Sequence, residues 1–180
     1  WLNEGLATWH QDLLARTAGL LRSDRDYWQE LLRGLDTGAA RAAEDKMALA
    51  DASARMHEDG TYQHAYWAGV AVVFLAEVEA RKQGASVDDF VRAVRARFPV
   101  DDRPRGALEL LAAIDDGSSH KGAIAARALA SVFGRYRTAP FPPVDDALRA
   151  LGVRRTPGGD VIFDDAAPLA DIRRAITRAR

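Results

Sequence analysis

The chain has 180 residues, 48% of them hydrophobic and 28% charged, with a net charge of −1 and no cysteine. That is the composition of an ordinary globular chain long enough to bury a core. The balanced charge gives no overall attraction to nucleic acid or anionic membrane, and the absent thiols exclude disulfides, thiolate catalysis, zinc ribbons and iron–sulfur clusters.

Leu2, Leu6 and Trp9 recur on one helical face, so residues 1–21 read as an amphipathic helix ending near Gly19. Ser23 and Asp24 can cap a second helix, with Tyr27, Trp28, Leu31 and Leu32 on one side and a stop near Gly34. Residues 35–60 are Ala-rich and polar, and the expectation there is irregular structure with short helical turns over the surface. Residues 61–83 are the most apolar stretch, apolar on nearly all sides, which predicts a helix in the middle of a bundle and packed against the first helix. Ser86 followed by Asp89 has capping-box spacing and starts another helix, which Pro99 would end. "RGALELLAAIDD" and "SSHKGAIAARALASVFGRY" predict two more helices, after which "TAPFPP" punctuates the chain. Then come a short helix in "VDDALRALGV", a strand in "DVIF" and a helix in "PLADIRRAIT", with Pro168 near its first turn. The fold class is therefore mainly α: a helical domain over residues 1–139 with a small helix–strand–helix appendage at 140–180. No apolar run is long enough to span a membrane and no signal peptide is visible. A chain opening on Trp1 reads as a piece of a longer protein, whose targeting segment could lie elsewhere.

Most candidate chemistry reduces to bland readings. "HEDGT" begins like the zinc motif H-E-x-x-H, but Thr61 stands where the second His belongs. His57 and His64 would lie two turns apart on a regular helix, too far to share an ion. All four histidines, His10 and His120 included, read as solvent-facing or hydrogen-bonded, and no complete metal site is present. Ser119 beside His120 reads as a helix start, because adjacent helical residues point apart. "RRTPGGD" lacks the lysine of a phosphate loop and reads as a turn before a strand. Asp101–Asp102, Asp115–Asp116 and Asp145–Asp146 read as helix-end carboxylates serving caps and dipoles. Glu4 could likewise be a solvated first-turn acid. Gly5, though, costs the helix about 1 kcal/mol relative to Ala and allows close approach of a backbone or a ligand.

"WLNEGLATW" resembles the W-L-N-E-G segment of the gluzincin metallopeptidases, of the aminopeptidase N and glycyl aminopeptidase kind. A second resemblance lies in "YWAGVAVVFLAEVEARKQGASVDDFVRAV", which is similar to the Y-x-K-G helix of those families and the helix start after it; Tyr66 and Gly69 match, while Ala68 replaces the family lysine. The likeness covers roughly residues 1–100. It implies that Glu4 is the third zinc ligand, with Asn3 and Gly5 its matched neighbours, and that Tyr66 donates a hydrogen bond to the tetrahedral intermediate. It also implies that an H-E-x-x-H segment lies on a missing N-terminal half, and that zinc and a peptide substrate belong to the intact parent, with a zinc-bound water as nucleophile. The piece alone would then hold no zinc and be inactive, with exposed apolar surface for docking or self-association. Two alternatives stay open: a non-catalytic scaffold derived from the peptidase fold, and an unrelated helical binding domain. Tyr66 could equally be a core tyrosine with a bonded hydroxyl.

Overall fold

In the computed structural model, which describes residues 1–20, 23–98, 103–117 and 120–178, the helix α4 (Tyr62–Lys82) is the axis of the fold. From Ala68 to Val78 every residue but Leu75 is buried, which is why this stretch lacks a polar face. Packed against it are α1 (Leu2–Thr17), α2 (Asp24–Asp45), α3 (Leu49–Asp59) and α7 (His120–Tyr136). Two further helices, α5 (Val87–Arg97) and α6 (Ala107–Gly117), lean on α7. Trp9, Tyr27, Trp28 and Phe74 interlock α1, α2 and α4: the Trp9 and Tyr27 rings meet edge-on at 6.3 Å, and Trp28 and Phe74 at 6.2 Å. The expectations for α1, α4, α5, α6 and α7 hold. Pro99, Asp101, Asp102 and Ser119 lie outside the described residues.

The second helix does not stop near Gly34; α2 runs on to Asp45. Gly34 and Gly38, one turn apart, form a notch that takes the Trp67 side chain of α4. A Cβ at Gly34 would collide with the indole, and one at Gly38 with the Trp67 Cβ. Residues 35–60 are accordingly not irregular. After Lys46, in the left-handed region at φ 55°, α3 forms. Its first amides are held from a distant segment: Leu49 N–H donates to Ala139 O at 2.9 Å and Ala50 N–H to Arg137 O at 3.0 Å. Asp115 and Asp116 also differ from expectation, because they occupy the last turn of α6, where the dipole disfavours carboxylates; Asp115 instead pairs with Arg127 of α7 at 2.5 Å.

The C-terminal segment contains α8 (Asp145–Leu151), the strands β1 (Val153–Arg155) and β2 (Val161–Phe163), and α9 (Ala170–Thr177). The strands form an antiparallel hairpin with Arg154 opposite Ile162, so "RRTPGGD" supplies part of a strand as well as the turn. Arg173 organises this segment. Its buried guanidinium donates to Leu151 O at 3.0 Å and Asp164 O at 3.2 Å and lies 4.5 Å from the Phe163 ring centre. Gln29 and Asp36 of α2 dock the hairpin, through Val161 N–H at 2.9 Å and Arg155 at 2.5 Å.

Candidate functional site

Glu4 sits in the first turn of α1, half-buried, where a carboxylate complements the exposed helix amides. That turn is closed by Gly5 N–H donating to Trp1 O at 2.8 Å. The Trp1 nitrogen donates to Ser53 Oγ of α3 at 2.6 Å, and its ring stacks on Phe133 of α7 with centroids 4.4 Å apart.

The purpose of Gly5 is plain in the packing. A Cβ there would lie 2.6 Å from Gly69 C and 2.7 Å from Gly69 O. Reciprocally, a Cβ on Gly69 would lie 2.5 Å from Trp1 O and 3.1 Å from the Gly5 Cα. The backbones of α1 and α4 touch, and the close approach that Gly5 permits is to another backbone. The two helices leave this crossing in the same general sense, since Trp9 further along α1 reaches Phe74 further along α4 at 6.3 Å. With Gly5 facing Gly69 and about 100° of turn per residue, Glu4 and Tyr66 project to one side of this seam and Leu2 and Leu6 to the other.

Tyr66 is half-buried rather than sealed among Val70, Val73 and Phe74, all of which are fully buried. Its ring meets Tyr62 at 6.2 Å in a T-shaped contact, and the Tyr62 hydroxyl lies 3.3 Å from His57 Nδ1. Ala68, which stands at the family lysine position, is fully buried. On the opposite side of the seam is an apolar groove of about 370 Å³, lined by Leu2, Leu6, Phe90, Val91, Val94 and Leu110 among others. A larger cavity, about 700 Å³, lies away from both candidate residues between α2, α8 and β1. Its arginines are paired: Arg149 with Asp146 at 2.6 Å, Arg154 with Asp164 at 2.8 Å, and Arg155 with Asp36.

The four histidines fall on four different helices. His57 lies in the last turn of α3 and His64 belongs to α4, with Gly60 between them in the left-handed region at φ 71°. His64 is wholly buried, with Nδ1 3.1 Å from Asp45 Oδ2 and Nε2 2.7 Å from Pro140 O. It ties the end of α2 and the linker before α8 to the start of α4. His10 has Nδ1 2.8 Å from Leu6 O and Nε2 3.0 Å from Asp88 Oδ1. The Asp88 hydrogen bond raises the His10 pKa above its ordinary value, burial opposes that, and the Leu6 carbonyl adds to it. His120 is exposed at the start of α7.

Among the described residues, no three acidic or histidine side chains are gathered so as to hold a metal ion. Glu4 offers one carboxylate to such an ion, and the described residues do not complete a zinc shell. Sequence reading singled out Glu4, Tyr66, Gly5 and Gly69; it missed that the two glycines are partners, as well as Ser53 beneath Trp1 and the His64 clamp. Compared with protein-family models, curated proteins and solved structures, the chain matches none.

Proposed function

We propose that this chain is the helical part of a gluzincin-type zinc peptidase, an aminopeptidase by the wording of its motifs, in which Glu4 is a zinc ligand and Tyr66 an oxyanion donor. The observation that carries the reading is the seam. The glycine of N-E-G and the glycine of Y-W-A-G, matched independently in sequence, lie against each other, and the residues that each accompanies turn to the same side.

Zinc in such a site supplies Lewis acidity. What the chain's own residues contribute is position and charge. Glu4 brings a carboxylate held in a turn whose base is fixed by Ser53 and Phe133. Tyr66 brings a neutral hydrogen-bond donor aimed where negative charge develops. The remaining ligands, and the base that activates water, belong to an H-E-x-x-H segment elsewhere in the parent polypeptide, and the 180 residues by themselves are inactive. The substrate is a peptide.

The test is hydrolysis of aminoacyl amides by the zinc-loaded full-length protein. Tyr66→Phe is expected to lower kcat about 100-fold with little change in KM, as loss of an oxyanion donor does. A zinc-loaded wild type without peptidase activity sinks the proposal. It would favour the second reading, a non-catalytic scaffold, for which the specific observation is Ala68 buried in the core at the lysine position.

A further inference from the structure

The geometry points to Gly5 and Gly69 as positioning residues, each controlling the candidate site residue on the other helix. This rests on the peptidase reading above. The atom that a Cβ on Gly69 would strike, at 2.5 Å, is Trp1 O. That carbonyl accepts the Gly5 N–H bond closing the turn that contains Glu4. A methyl group on α4 therefore pushes on the base of the turn holding the proposed ligand on α1. The converse contact is as direct. A Cβ on Gly5 would strike Gly69 C and O, at 2.6 and 2.7 Å, one turn beyond Tyr66. All of these are backbone atoms with no rotamer to escape into, so relief requires one helix to move against the other.

Movement there cannot be absorbed evenly. Beyond the crossing, α1 is held by Trp9 among Tyr27 and Phe74. Before it, Trp1 is held by Ser53 and by Phe133. With both flanks anchored, displacement concentrates in the turn that bears Glu4. Direct contact makes the glycine pair the register mark for the two helices, and a displaced ligand loses metal even where the fold survives.

The experiment measures zinc affinity by chelator competition in the full-length protein for wild type, Gly69→Ala and two controls. One control is Gly134→Ala, whose Cβ would meet nothing within 4 Å; the other is a core variant, Leu129→Ala, matched to Gly69→Ala in melting temperature. Gly69→Ala is expected to weaken zinc binding about 10- to 100-fold, the range for residues that orient a metal ligand, while both controls keep wild-type affinity. Equal affinity in Gly69→Ala and wild type, or equal loss in the matched core variant, overturns the positioning role alone. A wild type that holds no zinc overturns the peptidase reading and this inference together. If Gly69→Ala does not fold, Gly5→Ala, whose Cβ would lie 2.6 Å from Gly69 C, takes its place in the same competition: a loss of zinc affinity of about 10- to 100-fold is expected, and wild-type affinity overturns the inference.

Discussion

A glycine's neighbours, rather than its own propensity, decide what it does in this protein. Gly134 lies inside α7 with open space where a Cβ would go. Gly34 lies inside α2 with the Trp67 indole in that space. The same substitution should therefore have opposite signs: Gly134→Ala should stabilise by about 0.5–1 kcal/mol, and Gly34→Ala should destabilise by about 1–3 kcal/mol through overpacking. Urea unfolding of the two variants checks both, and a common sign would show that the notch is not tight. His10 supports a second expectation. Its pKa is raised in the folded state, chiefly by Asp88, so its contribution to stability is complete below the unfolded value of about 6.5. That contribution is lost as pH rises through the raised folded value. Unfolding free energy measured across that window should fall with rising pH, and Asp88→Asn should flatten the fall. An unchanged slope in Asp88→Asn would show that Asp88 does not hold the proton.

At the scale of elements, local signals were legible and borrowed ones were not. Ser86 and Asp89 could be read as a capping pair because its parts are three residues apart, and the Asp89 carboxylate accepts from both the Ser86 N–H and the Ser86 hydroxyl at 2.9 Å. The same start has a second support that no spacing reveals: buried Glu77 accepts Val87 N–H at 2.6 Å while pairing with Arg81 at 2.7 Å. Removing that carboxylate strands both a cation and a helix amide, so Glu77→Ala should cost about 3 kcal/mol. Chemical denaturation checks this, and a loss no greater than that of a surface substitution would contradict it. The misread elements share one cause. Gly34 announces a local cost to α2, but Trp67, which fills the notch, comes from another helix. Leu49 and Ala50 begin α3 on carbonyls of residues 137–139. The strand β1 is three residues long, with Arg154 and Arg155 exposed, so it carried no alternation to read.

For the whole molecule, the sequence supplied the class of fold and the names of the candidate residues, but not how α1 and α4 meet. Glu4 and Tyr66 were visible as a family likeness; that Gly5 and Gly69 meet is a fact of packing between α1 and α4. Ser53 and Phe133, which seat Trp1 beneath the Glu4 turn, come from α3 and α7, so the candidate site draws on most of the bundle. The central claim is that Glu4 binds zinc together with ligands outside this chain, and zinc stoichiometry tests it most directly. After exhaustive dialysis against a weak chelator, the full-length protein should retain one zinc per chain, and Glu4→Gln and the isolated 180 residues should retain none. Stoichiometric zinc in the Glu4→Gln protein, or in the isolated chain, would contradict the account.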